Sequence, residues 1–122
     1  MEEDLKWRTK LFALRIIRLY SALPIRGPAQ VLGLQLLRSG TSTGAHYREA
    51  NRAKSDADFV SKIEGALQEL DETQYWIELI AETKILPPER LEPLHKEADE
   101  LIAILVTVVK NVKRRGRVRR RR

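Results

Sequence analysis

The 122-residue chain has no cysteine, which rules out a disulfide framework and any thiolate metal site. Aromatic residues make up 6% of it, and they are not interleaved with basic residues as in a single-strand nucleic-acid platform. Long hydrophobic runs are missing too. The longest nearly apolar stretch, Leu101 to Val109, is about half of a membrane span. The chain starts Met1-Glu-Glu-Asp4, the opposite of the basic start of a secretory leader. These absences predict a soluble, cytoplasmic protein without cofactors. Its length allows one domain with a single core.

Charge is abundant but unevenly placed. The net +6 divides into a basic front, an acidic middle and a basic end. Residues 1–54 hold ten Lys/Arg against four Asp/Glu, and residues 55–109 hold four against thirteen. Residues 110–122 hold nine basic side chains and no acid. The middle repels nucleic acid while the front and the end attract it, so either internal pairing or one strongly basic surface is expected.

Hydrophobic spacing predicts four helices. Leu5, Phe12, Ile16, Leu19 and Leu23 recur at helical intervals over Asp4–Ala22, with Leu11 and Leu14 widening the apolar face. Two prolines and a glycine in Leu23-Pro-Ile-Arg-Gly-Pro28 end that helix, and Pro28 suits the first turn of the next. The second helix extends to about Lys54, with Leu32, Leu36, Ser39, Thr43, His46, Ala50 and Ala53 as its seam. Ser55-Asp-Ala-Asp58 resembles a capping box and opens a third helix to about Lys84, which buries Phe59, Val60, Ile63, Leu67, Leu70, Ile77 and Ile80. Tyr75 and Trp76 fall on different faces, one suited to the core and the other to an interface. After Leu86-Pro-Pro88, Leu91, Leu94, Ala98, Leu101, Leu105, Val108 and Val112 form a heptad seam. Ile102, Ile104, Val106 and Val109 spread apolar surface nearly all round this last helix, which predicts burial against a second subunit as well as within the bundle. The fold expected is all-α: an antiparallel up-down-up-down four-helix bundle over residues 1–112, followed by a basic tail over 113–122. Like-charge repulsion and Gly116 predict disorder after about Arg115.

The second helix contains an anomaly. Gly40 and Gly44 each cost about 1 kcal/mol against alanine in a helix, yet they sit four apart on one face beside Ser39 and Thr43. Such a thin side predicts a seam where a neighbouring backbone approaches closely. The same stretch, Leu36-Leu-Arg-Ser-Gly-Thr-Ser-x-Gly-Ala-x-Tyr-Arg-Glu-Ala, is followed by Asn51-Arg-Ala, Ser55-x-x-Asp-Phe59 and Asp71-Glu-Thr-x-Tyr-Trp76. Together these resemble the signature of the 23S rRNA intervening-sequence proteins, small bacterial four-helix-bundle proteins, over about residues 10–110. The resemblance implies an antiparallel four-helix bundle assembled as a homopentamer. A related branch, the accessory proteins of diversity-generating retroelements, implies a basic surface that holds nucleic acid and a reverse transcriptase.

The chemistry these residues suggest is mainly electrostatic. Lys110, Lys113, Arg114, Arg115, Arg117, Arg119, Arg120, Arg121 and Arg122, with Arg48 and Arg52, are the expected nucleic-acid contacts, RNA more than DNA. No groove-reading motif accompanies them, so recognition by shape and charge is expected. The competing reading is a protein-interaction module, in which Arg48 and Arg52 pair with acids of the third helix. Glu92-Pro-Leu-His95 has the spacing of half a di-iron site, but no second half exists and no metal is expected. Gly40-Thr-Ser-Thr-Gly44 lacks the lysine of a phosphate loop. Arg90-Leu-Glu-Pro-Leu-His95 has the Arg-x4-His spacing of HEPN ribonucleases, with Pro93 intervening; a non-enzymatic protein remains the expectation.

Overall fold

A computed structural model describes the backbone of residues 2–121 and the side chains of residues 5–121. Four helices follow one another: α1 (Glu2–Ala22), α2 (Gly27–Asn51), α3 (Asp56–Glu82) and α4 (Pro88–Arg121), with no strand among the described residues. Each packs on its sequence neighbour, and α1 also meets α4, closing an up-down-up-down bundle.

The connections follow from local chemistry. Gly27, at φ +59°, takes the left-handed backbone that turns the chain into α2, with Pro28 in the first turn. Ser55 caps α3 by accepting a hydrogen bond from the Asp58 N–H at 3.1 Å, which is half of the expected capping box. α3 closes with Lys84 at φ +61°, where its N–H reaches the Ala81 carbonyl and the Ile85 N–H reaches that of Ile80.

The periodicity of α1 and α4 translates directly into burial. Leu5, Phe12, Ile16, Leu19 and Leu23 line the core from one side; Leu91, Leu94, Ala98, Leu101, Leu105 and Val112 line it from another. From α3 come Ile63, Leu70, Ile77 and Ile80, whereas Phe59, Val60 and Leu67 are only partly buried. On α2 the predicted seam is rotated. Leu32, His46 and Ala53 are half-buried, while Gly33 and Tyr47 occupy the core side with Leu36, Ser39, Thr43 and Ala50.

The rotation is set by glycine. A Cβ at Gly40 would lie 2.7 Å from Ile16 Cγ1 and 2.8 Å from Ile16 Cγ2, closer than non-bonded carbons tolerate. At Gly33 it would lie 2.9 Å from Leu23 Cδ1, and at Gly44 3.3 Å from Thr9 Oγ1. Gly33, Gly40 and Gly44 therefore form a groove that receives α1. Ser39 and Thr43 turn to the other side, and the Ser39 hydroxyl meets the buried Thr73 hydroxyl of α3 at 2.8 Å.

Two expectations require correction. α4 does not end in a disordered tail; it stays helical through Arg121, and Arg122 lies outside the described residues. Repulsion is offset in three ways. Arg and Lys are good helix formers, α4 is already nucleated by the bundle, and its last turns run beside acids of α3. Lys113 Nζ lies 3.7 Å from Glu64, and Arg119 Nη1 lies 3.6 Å from Asp56. The second correction concerns the register at the end of α4. Val109 is buried where the heptad placed Val108, and Val108 is half-buried like Ile102, Ile104 and Val106. Among the described residues, the large apolar side chains left in solvent are Trp7, Leu11, Leu14 and Ile17 of α1, Ile25 of the turn before α2, Val31 and Leu34 of α2, Tyr75 of α3 and Val118 of α4.

Two glycines predict opposite outcomes for one substitution. Gly40→Ala should destabilise the bundle by about 1–2 kcal/mol, because overpacking against the stiff Ile16 outweighs the gain in helix propensity. Gly116, whose Cβ would meet nothing closer than 3.9 Å, should instead gain up to about 1 kcal/mol of local helix stability as alanine. Urea midpoints test the first. Amide exchange along the end of α4 tests the second.

Candidate nucleic-acid interface

The antiparallel path brings the two predicted basic segments to one pole of the bundle. Arg48 and Arg52 lie at the C-terminal end of α2, next to the turn that starts α3. The end of α4 returns to that same turn, because Arg119 reaches Asp56 and Arg115 shares a cavity with Asn51, Lys54 and Ser55. Beyond Val112, the last buried residue of α4, the helix becomes an arm whose cations are all exposed. Arg114 donates a long hydrogen bond of 3.5 Å to Asn111 Oδ1. Lys110, Arg115, Arg117, Arg120 and Arg121, together with Arg48 and Arg52, have no ion-pair partner among the described residues.

The predicted pairing of Arg48 and Arg52 with α3 is not found. Arg38, nearly three turns before Arg48, makes it instead, with Nη2 2.8 Å from Glu72 and Nη1 3.5 Å from Glu69. Elsewhere, acids and bases are matched across helices. Arg8 grips Glu97 of α4 with two hydrogen bonds, 3.1 Å from Nε and 2.7 Å from Nη2, and reaches Glu100 at 3.3 Å. These hydrogen bonds raise the affinity of its guanidinium for its proton against a smaller opposing effect of burial. His95 Nε2 meets Glu78 at 2.8 Å and so ties α4 to α3. Much of the acidic middle is thus engaged inside the bundle, while the basic pole keeps most of its cations free.

The other constellations do not assemble into sites. Arg90 and His95, five residues apart on a continuous helix, diverge by roughly 140°. Arg90 lies with Arg15 and Arg18, and His95 lies against Glu78. No group of three or more His, Asp or Glu among the described residues is placed to hold a metal ion. Within Gly40-Thr-Ser-Thr-Gly44, the three hydroxyls donate back to the carbonyls of Leu37, Arg38 and Ser39. Ser39, Gly40, Thr43 and Gly44 are packing residues, joined by Gly33, which no local motif marks.

Sequence spacing also hid a cavity. Between α1 and α4, where the two helices stand apart, lies a space of about 440 Å³. Leu5, Ile104, Val108 and Val112 wall it together with three aromatics, Trp7 of α1, Tyr47 of α2 and Phe59 of α3. Tyr47 is buried and Trp7 is 57% exposed, so one forms the floor and the other the rim. Arg8 of α1, with Asn111 and Arg115 of α4, completes the lining. Aromatics contributed by three separate helices leave no linear signature.

No described helix is long and apolar enough to cross a membrane. No curated protein is detectably similar to the chain. The crystal structure of a protein of unknown function from the S23 ribosomal protein family of Bacteroides thetaiotaomicron is similar to it, with a TM-score of 0.80 and 38% identity. That likeness covers 89% of this chain and 97% of the other. Residues 4–107 match the model of the 23S rRNA-intervening sequence protein family. With the four-helix bundle and a match across nearly the whole chain, the protein belongs to the 23S rRNA-intervening sequence protein family.

Proposed function

We propose that this protein is a non-enzymatic, self-associating scaffold that holds nucleic acid, structured RNA in preference to DNA, on its basic pole. The observation that carries the reading is the convergence of Arg48, Arg52 and the arm from Lys110 to Arg121 at one end of the bundle, where most of these cations have no ion-pair partner among the described residues. Each phosphate neutralised releases condensed counterions, so a surface of this kind binds with a steep dependence on salt. Self-association is favoured by the apolar stripe Leu11, Leu14 and Ile17, which a second copy would cover. A ring of copies, a pentamer for example, would bring several arms together and multiply weak contacts.

The same stripe supports a second reading, in which a protein such as a reverse transcriptase docks on α1 and the arm only assists. Fluorescence anisotropy with a labelled structured RNA across a salt series separates the two, comparing the full chain with a truncation after Val112. Light scattering fixes the mass of each species. The scaffold reading expects tight binding by the full chain with a salt slope of several units, and a truncation that keeps its mass but loses most of the affinity. Equal binding by both would move the contact to Arg48 and Arg52. No binding by either would favour the protein partner. RNA incubated with the full chain should stay intact, and cleavage abolished by His95→Ala would overturn the non-enzymatic reading.

A further inference from the structure

We infer that the cavity between α1 and α4 receives an unpaired nucleobase from the nucleic acid that the arm holds. This rests on the proposed function and specifies its ligand.

The cavity, about 440 Å³, lies within the usual range of small-ligand sites, about 300–1,000 Å³, and is larger than one base requires. Its walls are mostly apolar, with Tyr47 and Phe59 inside and the indole of Trp7 exposed at the rim. A base has two apolar π-faces and a hydrogen-bonding edge. Aromatic walls accept the faces, and the Asn111 amide at the rim can meet the edge.

Charge favours a nucleotide over an aliphatic acid. Arg8 lines the same cavity but is neutralised by Glu97 and Glu100. The free cation at the rim is Arg115, and Arg119 follows one turn further along the same face of the arm. A chain of phosphates tracking the arm therefore passes the mouth of an aromatic pocket. A stacked base pair cannot enter such a pocket, but a bulged or looped base can. The expected ligand is RNA with an unpaired nucleotide flanked by helix.

The test uses two labelled RNAs, a fully paired duplex and the same duplex with a single-nucleotide bulge. They are titrated against the full chain, Trp7→Ala and the cavity-filling Val108→Trp. In a Trp76→Phe background Trp7 is the only tryptophan, so its emission reports on the rim. The full chain should prefer the bulged RNA by about five- to a hundred-fold, the range expected for one stacked base. Bulged RNA alone should quench Trp7. Both cavity variants should lose that preference while keeping the duplex affinity and its salt slope; Trp7 is exposed enough that its replacement should leave the helical content unchanged. Equal affinity for the two RNAs, unquenched emission, or a preference surviving in Trp7→Ala would overturn the pocket and leave the arm reading intact. Binding of neither RNA would overturn both.

Discussion

The contact on which the bundle depends is the meeting of Ile16 with the bare backbone of α2 at Gly40. An α-helix with glycine at two nearby positions is locally weaker than one with alanine. Here the weakness is offset by dispersion contacts that only a missing side chain permits, repeated at Gly33 against Leu23 and at Gly44 against Thr9. Because these contacts fix both the distance and the rotation of α2, they decide what its other faces present. Ser39 and Thr43 turn toward α3, Arg38 reaches Glu72, and Tyr47 moves into the core. The position of Tyr47 in turn supplies the floor of the cavity below Trp7.

Electrostatics then divides the molecule. The three helix pairs tied by Arg8 to Glu97, Arg38 to Glu72 and His95 to Glu78 use the acids of α3 and α4 as bundle partners. Each of these contacts is partly exposed, so each contributes modestly to stability. Their larger effect is distributional. Several acids are occupied along the flanks, and at the pole formed by the turn after α2 and the end of α4 the cations outnumber Asp56 and Asp58. A net charge of +6 therefore understates the local field.

The helices and most of the core could be read from the sequence where apolar spacing was regular, as in α1 and α4. The reading failed where residue size outweighed polarity. His46 fits the heptad of α2 better than Tyr47 does, but the glycine groove rotates Tyr47 inward. It failed again where partners lie far apart in sequence. Lys113 and Arg119 have no acid near them in sequence, and only the fold brings Glu64 and Asp56 of α3 alongside. The exposed stripe on α1 was concealed as extra width of an ordinary core face. The run of cations in the arm was legible because it is continuous in sequence, whereas its meeting with Arg48 and Arg52 depends on the antiparallel path of the helices.

That the arm is a helix alters how it would meet a ligand. Nine residues from Lys113 to Arg121 form a rod of about 13 Å, with cations at fixed angles around its axis. A flexible tail would search a larger volume but lose backbone freedom on capture, about 1–2 kcal/mol for each residue fixed. The rod has already lost most of that freedom on folding. Its charges can match a phosphate spacing that suits them and reject one that does not, so rigidity confers a geometric filter that an arginine-rich sequence alone would lack.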